Sequence, residues 1–128
     1  MLSRVTAGDV LERVVQALAD MRSPERLLAI ILTETLRMLD AQGAYMLWIV
    51  GDRLVLRASA GLIPPGREAG VPLGNGIEGW VAQQGEAVAV ANLARSPRFG
   101  PTDLGQVGAL LAVPMRLRGE VVGVMVAT

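Results

Sequence analysis

The stretch Ala44-Tyr45-Met46-Leu47-Trp48-Ile49-Val50-Gly51-Asp52-Arg53-Leu54-Val55-Leu56-Arg57-Ala58-Ser59-Ala60 decides the fold class. Ala44, Met46, Trp48 and Val50 alternate with Tyr45, Leu47 and Ile49, and both sets are apolar, which predicts a central strand covered on both faces. Gly51-Asp52 predicts a two-residue hairpin loop with Gly at its first central position, returning the chain along residues 53–60. There Leu54, Leu56, Ala58 and Ala60 oppose Arg53, Val55, Arg57 and Ser59, so one face is more polar and this strand belongs nearer a sheet edge. A second hairpin closes the chain, residues 109–117 and 120–127 around a tight turn at Arg118-Gly119.

Outward from the first hairpin the period changes. Ser23-Pro24-Glu25 offers an N-cap, a proline at the first helical position and an acid near the positive end of the helix dipole. The helix it starts has Leu28, Ile31, Leu32, Thr35 and Leu39 on one face, widened by Leu27, Ile30 and Leu36, which predicts burial over much of its circumference, and Gly43 is read as its stop. Before it, Leu11, Val14, Leu18 and Met21 have the spacing of a coiled-coil seam behind a capping box at Thr6 and Asp9. Such a stripe either seeks a partner helix or packs on its own domain. Between the hairpins, residues 61–73 read as a loop, 77–84 as a short helix stopped by Gly85, and 87–91 as a short strand, with a turn from Asn92 through Ser96-Pro97 and Gly100-Pro101. With neither repeat nor linker, the chain reads as one α+β domain over residues 1–128: an N-terminal helix in 1–22, then a core over 23–128.

Composition narrows the function classes. At 128 residues, 52% apolar and 19% charged, the chain is long and apolar enough for its own core. Its longest apolar runs fall far short of the ~18 residues a membrane span needs. Asp9, Glu12, Arg13 and Asp20 interrupt what a signal peptide would require to be apolar, so the expected location is the cytoplasm. Twelve basic residues balance twelve acidic ones and only Tyr45, Trp48, Trp80 and Phe99 are aromatic, which argues against nucleic acid and membrane as partners. The chain holds no Cys, no His and no Lys, which removes most metal ligands, thiol and imidazole catalysis and Schiff-base chemistry. What remains is carboxylate chemistry; no Asp-x-Asp or Glu-x-x-Glu pair converges two acids, and the isolated acids read as solvated surface.

Gly74, Gly76 and Gly79 fit G-x-G-x-x-G, but a dinucleotide site needs that motif to leave a parallel strand, and Gly70-Val71-Pro72-Leu73 is too short and proline-broken for one. The glycines read instead as shaping a tight approach to the helix that carries Ile77, Trp80 and Val81. The same stretch, Gly74-Asn75-Gly76-Ile77-Glu78-Gly79-Trp80-Val81-Ala82 followed by Gly85-Glu86-Ala87-Val88, resembles the middle of a GAF domain. Val90-Ala91-Asn92 with Ser96-Pro97-Arg98-Phe99, residues 110–114 and Gly119-Glu120-Val121-Val122-Gly123-Val124 resemble the rest of that family's pattern, in the right order.

The resemblance covers about residues 24–128. It implies an antiparallel, PAS-like sheet of five to six strands with the terminal helices on one face and short helices and loops over a pocket on the other. It also implies a sensory module upstream of a histidine kinase, a cyclic-nucleotide enzyme or a transcriptional regulator, which binds a small molecule or simply dimerises and relays. Catalysis would belong to other domains. The pocket lid would come from Ile77, Trp80 and Val81 and from the turn with Asn92, Arg98 and Phe99; Tyr45 and Met115 are floor candidates, the lining face of the sheet being open. Core filling is the competing reading for Trp80 and Phe99. For Arg98 it is a surface or bracing role, although an arginine there would suit a carboxylate or phosphate. Homodimerisation would run through Leu11, Val14, Leu18 and Met21. Bilin, haem and sulfoxide-reductase branches need Cys or His, so no such cofactor or catalysis is expected. The family pattern continues with a C-terminal helix beyond Thr128, which leads us to expect a fragment; any cyclic-nucleotide signature would also lie past that point.

Overall fold

The computed structural model describes residues 25–95 and 108–128. The seam of Leu11, Val14, Leu18 and Met21, and both Arg98 and Phe99, lie outside the described residues. Strands β1 (Gly43–Val50) and β2 (Arg53–Gly61) form the predicted hairpin, paired antiparallel from Gly43↔Gly61 to Val50↔Arg53 around Gly51-Asp52. The chain then adds an edge strand β3 (Val71–Pro72), β4 (Val88–Val90), and the second hairpin, β5 (Leu110–Leu117) and β6 (Glu120–Ala127). All pairings are antiparallel, in one six-stranded sheet of order β3-β2-β1-β6-β5-β4. Both hairpins therefore meet at the centre, where β1 pairs β6 from Ala44↔Ala127 to Trp48↔Gly123. The segment read as a loop thus contains β3, whose Pro72 is tolerated because the strand is at an edge.

Helix α1 (Glu25–Leu39) covers one face and helix α2 (Gly76–Gln84) lies against the other. Under α1, Leu28 and Leu32 pack with Ala44, Met46 and Met115; under α2, Ile77, Val81 and Ala82 pack with Tyr45, Leu47, Leu54, Val124 and Val126. Each fully buried aliphatic side chain contributes roughly 1.5–3 kcal/mol, so the two clusters make the two-sided core that the doubly apolar β1 predicted. Helix α1 is less enclosed than its sequence suggested: Ile30 and Leu39 are exposed, because only the stripe centred on Leu28 and Leu32 faces the sheet.

Two local features differ from the sequence reading. The β1–β2 register jumps after Met46↔Ala58 to Leu47↔Leu56, leaving Arg57 unmatched in a β-bulge. The extra residue flips the alternation, so Leu54 and Leu56 pack beneath α2 whereas Ala58 and Ala60 pack beneath α1. Arg57 reaches outward to Glu25 at the start of α1, 3.3 Å away. Nor does Gly43 end α1. Asp40 makes the left-handed turn at φ 51°, a conformation short polar residues tolerate, and the Ala41 N–H donates to the Leu36 carbonyl at 3.0 Å. No helix among the described residues is long and apolar enough to cross a membrane.

Candidate functional site

Beneath α2 the apolar cluster contains a charged centre. Tyr45 sits in β1 on the same face as Leu47 and points at α2; its hydroxyl donates to Glu78 Oε2 at 2.8 Å. Arg67 places Nε 2.9 Å from the same oxygen. Tyr45 is 0% exposed, and Arg67 and Glu78 are each 1% exposed. A buried ion pair loses hydration worth several kcal/mol per ion, which mutual attraction and hydrogen bonds offset only when the geometry is good. Here one carboxylate oxygen accepts the Tyr45 hydroxyl, a charge-assisted contact, and stands in ion-pair distance of the Arg67 guanidinium.

Each partner is positioned by its own local structure. Arg67 opens a short 3-10 turn, Arg67–Ala69, between Gly66 and Gly70. That segment is tied to β2 by Arg53, whose Nη2 donates to the carbonyls of Ala69 and Gly70 at 3.2 Å each, and by pairing of β3 with Arg53 and Leu54. Glu78 lies in the first turn of α2, where a negative charge also suits the positive end of the helix dipole. The glycine motif serves this approach: Gly74 N–H donates to Gly79 O at 3.1 Å, and a Cβ on Gly79 would stand 2.7 Å from Pro72 O, so α2 can lie close on β3. At its other end, the Gly85 N–H donates to Val81 O, and Arg116 Nη2 of β5 donates to Gly85 O at 2.7 Å.

Burial and the neighbouring Glu78 carboxylate raise the Tyr45 phenol far above its ordinary value of 10.0, with Arg67 opposing in part. The sign of the consequence is fixed: above about pH 10 the unfolded chain releases this proton and the folded one keeps it, so stability present below that pH is lost as pH rises, by about 1.4 kcal/mol per pH unit. With no Lys or Cys and a single Tyr, no other side chain of this sequence has its ordinary titration in that range. Denaturant titrations at increasing alkaline pH should show this slope in the wild type and not in Tyr45→Phe; equal slopes would refute the assignment.

Among the predicted pocket residues, the structure brings together Tyr45, Ile77 and Val81 in the cluster under α2, with Trp80 half-buried against it. Asn92 is exposed. Met115 is fully buried on the opposite face, beneath α1, because it alternates with the residues of β5 that face α2. Arg67 and Glu78 were not anticipated, and the reading of isolated acids as solvated surface is corrected at Glu78. For Glu78 a signal existed: it precedes Val81 and Ala82 at helical spacing, on the stripe that faces the core. Arg67 carries no periodic signal.

The GAF domain family model matches residues 23–128. Among solved structures, the chain is similar to the GAF domain of an Acinetobacter phosphoenolpyruvate-protein phosphotransferase, at 26% identity and TM-score 0.70 over 96% of this chain and 77% of that one. It is also similar to the GAF domain of A. aeolicus nlh2 in an inactive state, at 25% identity and TM-score 0.69 over 93% of this chain and 76% of that one. A free methionine-R-sulfoxide reductase from Neisseria meningitidis, solved in complex with its substrate, shares the fold at 21% identity and TM-score 0.70, over 93% of this chain and 70% of that one. No curated protein sequence matches. The fold therefore occurs both in GAF domains of larger proteins and in an enzyme, and does not by itself decide between them. Matched from residue 23 to residue 128, and built on the antiparallel sheet its sequence pattern implied, this chain belongs to the GAF domain family.

Proposed function

We propose that the domain is a small-molecule-sensing regulatory unit of a larger cytoplasmic signalling protein, such as a sensor histidine kinase, a cyclic-nucleotide enzyme or a transcriptional regulator. One observation carries this reading: a hydrogen-bonded charged centre, Tyr45–Glu78–Arg67, stands inside the apolar layer between the sheet and α2. Stability alone is a poor reason to keep such a centre, since apolar replacements are often neutral or better, whereas a few polar groups in an apolar setting are what orient a ligand. We assign no catalytic step to the domain: without Cys, His or Lys, the common nucleophiles and near-neutral acid–base groups are missing. A dimer through the segment bearing Leu11, Val14, Leu18 and Met21 would carry the output. A ligand-free dimerisation and relay role is the second reading, favoured by the exposed Ile30, Met38 and Leu39 of α1.

The test is thermal shift of the full chain across a metabolite panel, followed by calorimetric titration of any hit. A true ligand should stabilise saturably, by about 2.7 kcal/mol at a hundredfold excess over Kd. Trp80→Ala, at the edge of the cluster, should raise that Kd about tenfold, the equivalent of 1.4 kcal/mol. A panel without a single saturable shift, on a chain that sediments as a dimer, would favour the relay reading instead.

A further inference from the structure

We infer that Asn75 and Gly76, at the entry to α2, form a self-modification site, where the Asn75 side chain closes on the main chain and is converted to aspartyl and isoaspartyl forms. The inference stands apart from the small-molecule reading above. In the first step the Gly76 main-chain nitrogen forms a bond to Asn75 Cγ. The Cγ–Nδ2 bond breaks, and the main-chain proton leaves with the amide group as ammonia, giving a five-membered succinimide. Water then opens the ring at either carbonyl. One opening leaves aspartate in a normal chain; the other leaves isoaspartate, whose main chain runs through the side-chain carbon and is one atom longer. Water is the one co-reactant.

The chain has two asparagines, Asn75 and Asn92, and Asn75 is the one followed by glycine, whose missing side chain leaves the attacking nitrogen least hindered. Gly74, Asn75 and Gly76 are all exposed, so base and water reach the site. Asn75 stands at the N-cap of α2 but its side chain makes no capping hydrogen bond, so the usual restraint on an N-cap amide is missing. Gly76 is the first helical residue, and the first N–H groups of a helix have no carbonyl within it to bond. A Cβ on Gly76 would meet nothing among the described residues within 4 Å, so the ring has room. Asn75 is extended here, at ψ 136°, and closure requires rotation about that bond to bring the nitrogen to Cγ. Gly74 and Gly76, at φ 82° and 64°, flank it and can follow without a Cβ penalty. The main-chain bonds that rotation disturbs are long ones, Asn75 N–H to Pro72 O at 3.3 Å and Gly79 N–H to Asn75 O at 3.2 Å.

The two products act oppositely on α2. Aspartate at the N-cap sets a negative charge at the positive end of the helix, which favours it. Isoaspartate lengthens the main chain where Asn75 O accepts from Gly79, and so loosens the first turn, which carries Glu78 inward to Tyr45. The modification is therefore a one-way change in the helix that covers the buried centre.

The test is ageing of the full wild-type chain in neutral and mildly alkaline buffer, read by peptide mass mapping with fragmentation, which separates Asn75 from Asn92. Asn75 should gain the mass difference between an amide and an acid at least tenfold faster than Asn92, and faster as pH rises. Isoaspartate should appear beside aspartate, detected as a substrate of a protein isoaspartate methyltransferase. Conversion at Asn75 no faster than at Asn92 overturns the inference, and so does aspartate without isoaspartate, since direct hydrolysis bypasses the ring. The isoaspartyl fraction, resolved chromatographically, should exchange the Gly79 and Trp80 amide hydrogens at least tenfold faster than the unmodified chain, whereas Asn75→Asp should exchange them no faster. Equal exchange in the isoaspartyl and unmodified chains, or equal acceleration in Asn75→Asp, overturns the link between main-chain length and α2.

Discussion

Arg67→Met should destabilise the domain by about 3–5 kcal/mol, because it removes one half of a buried ion pair, the guanidinium 2.9 Å from the Glu78 carboxylate. Set against a total stability of about 5–15 kcal/mol for a chain of this kind, that is a large share. The double variant Arg67→Met with Glu78→Leu should recover most of the loss. Exchanging a whole buried pair for apolar side chains of similar size is neutral or stabilising by about 1–4 kcal/mol, and the remaining defect is the Tyr45 hydroxyl, an orphaned donor costing about 1–3 kcal/mol. Adding Tyr45→Phe should remove that defect too. Equilibrium denaturation of the single, double and triple variants checks the series. A single variant within about 1 kcal/mol of wild type would mean that the pair is better hydrated than its 1% exposures imply. The expected non-additivity would separate the cost of breaking the centre in part from the cost of deleting it whole.

The two hairpins were legible because both signals needed for them are local. Alternating apolar residues and a two-residue turn at Gly51-Asp52 or Arg118-Gly119 determine pairing without reference to the rest of the chain. In the second, Arg118 and Gly119 both adopt positive φ, at 53° and 84°, the backbone that a tight hairpin of this length favours. What escaped was non-local. The bulge at Arg57 adds one residue to an otherwise regular alternation, and nothing within residues 53–60 marks where it falls; cross-strand packing and the reach of Arg57 to Glu25 accompany it in the fold. A two-residue strand such as β3 is likewise below the length at which period two can be seen.

The site divides along the same line. Tyr45, Ile77 and Val81 could be named because they occupy core positions of recognisable elements. Met115 was assigned without a known face, and its parity in β5 sets it under α1. Arg67 comes from a segment whose conformation depends on Arg53, fourteen positions upstream, holding the carbonyls of Ala69 and Gly70. Glu78 was passed over because an acid on a core stripe is expected only where a buried counter-charge exists, and that counter-charge was the residue without a signal.

Gly43→Ala should destabilise by about 3 kcal/mol or more, at or above the top of the usual range for overpacking. A Cβ at Gly43 would fall 1.7 Å from the Leu62 carbonyl oxygen and 2.6 Å from its carbon, and both obstacles are main chain, which no change of rotamer relieves. Several segments meet there. Thr128 N–H donates to Gly43 O at 2.9 Å, Gln42 N–H to Thr128 O at 2.8 Å, and Leu62 N–H to Gln42 O at 2.9 Å, so the exit from α1 and the ends of β1, β2 and β6 share one hydrogen-bonded junction. A shift large enough to admit a methyl group must stretch at least one of these bonds, and it does so where α1 is joined to the sheet. Gly108→Ala is the control, with nothing among the described residues within 4 Å of its added Cβ, and should lie within about 0.5 kcal/mol of wild type. Equilibrium denaturation measures both, and hydrogen exchange should show protection falling first in α1 and the start of β1. If Gly43→Ala matched the control, the junction would be plastic and α1 free to slide on the sheet.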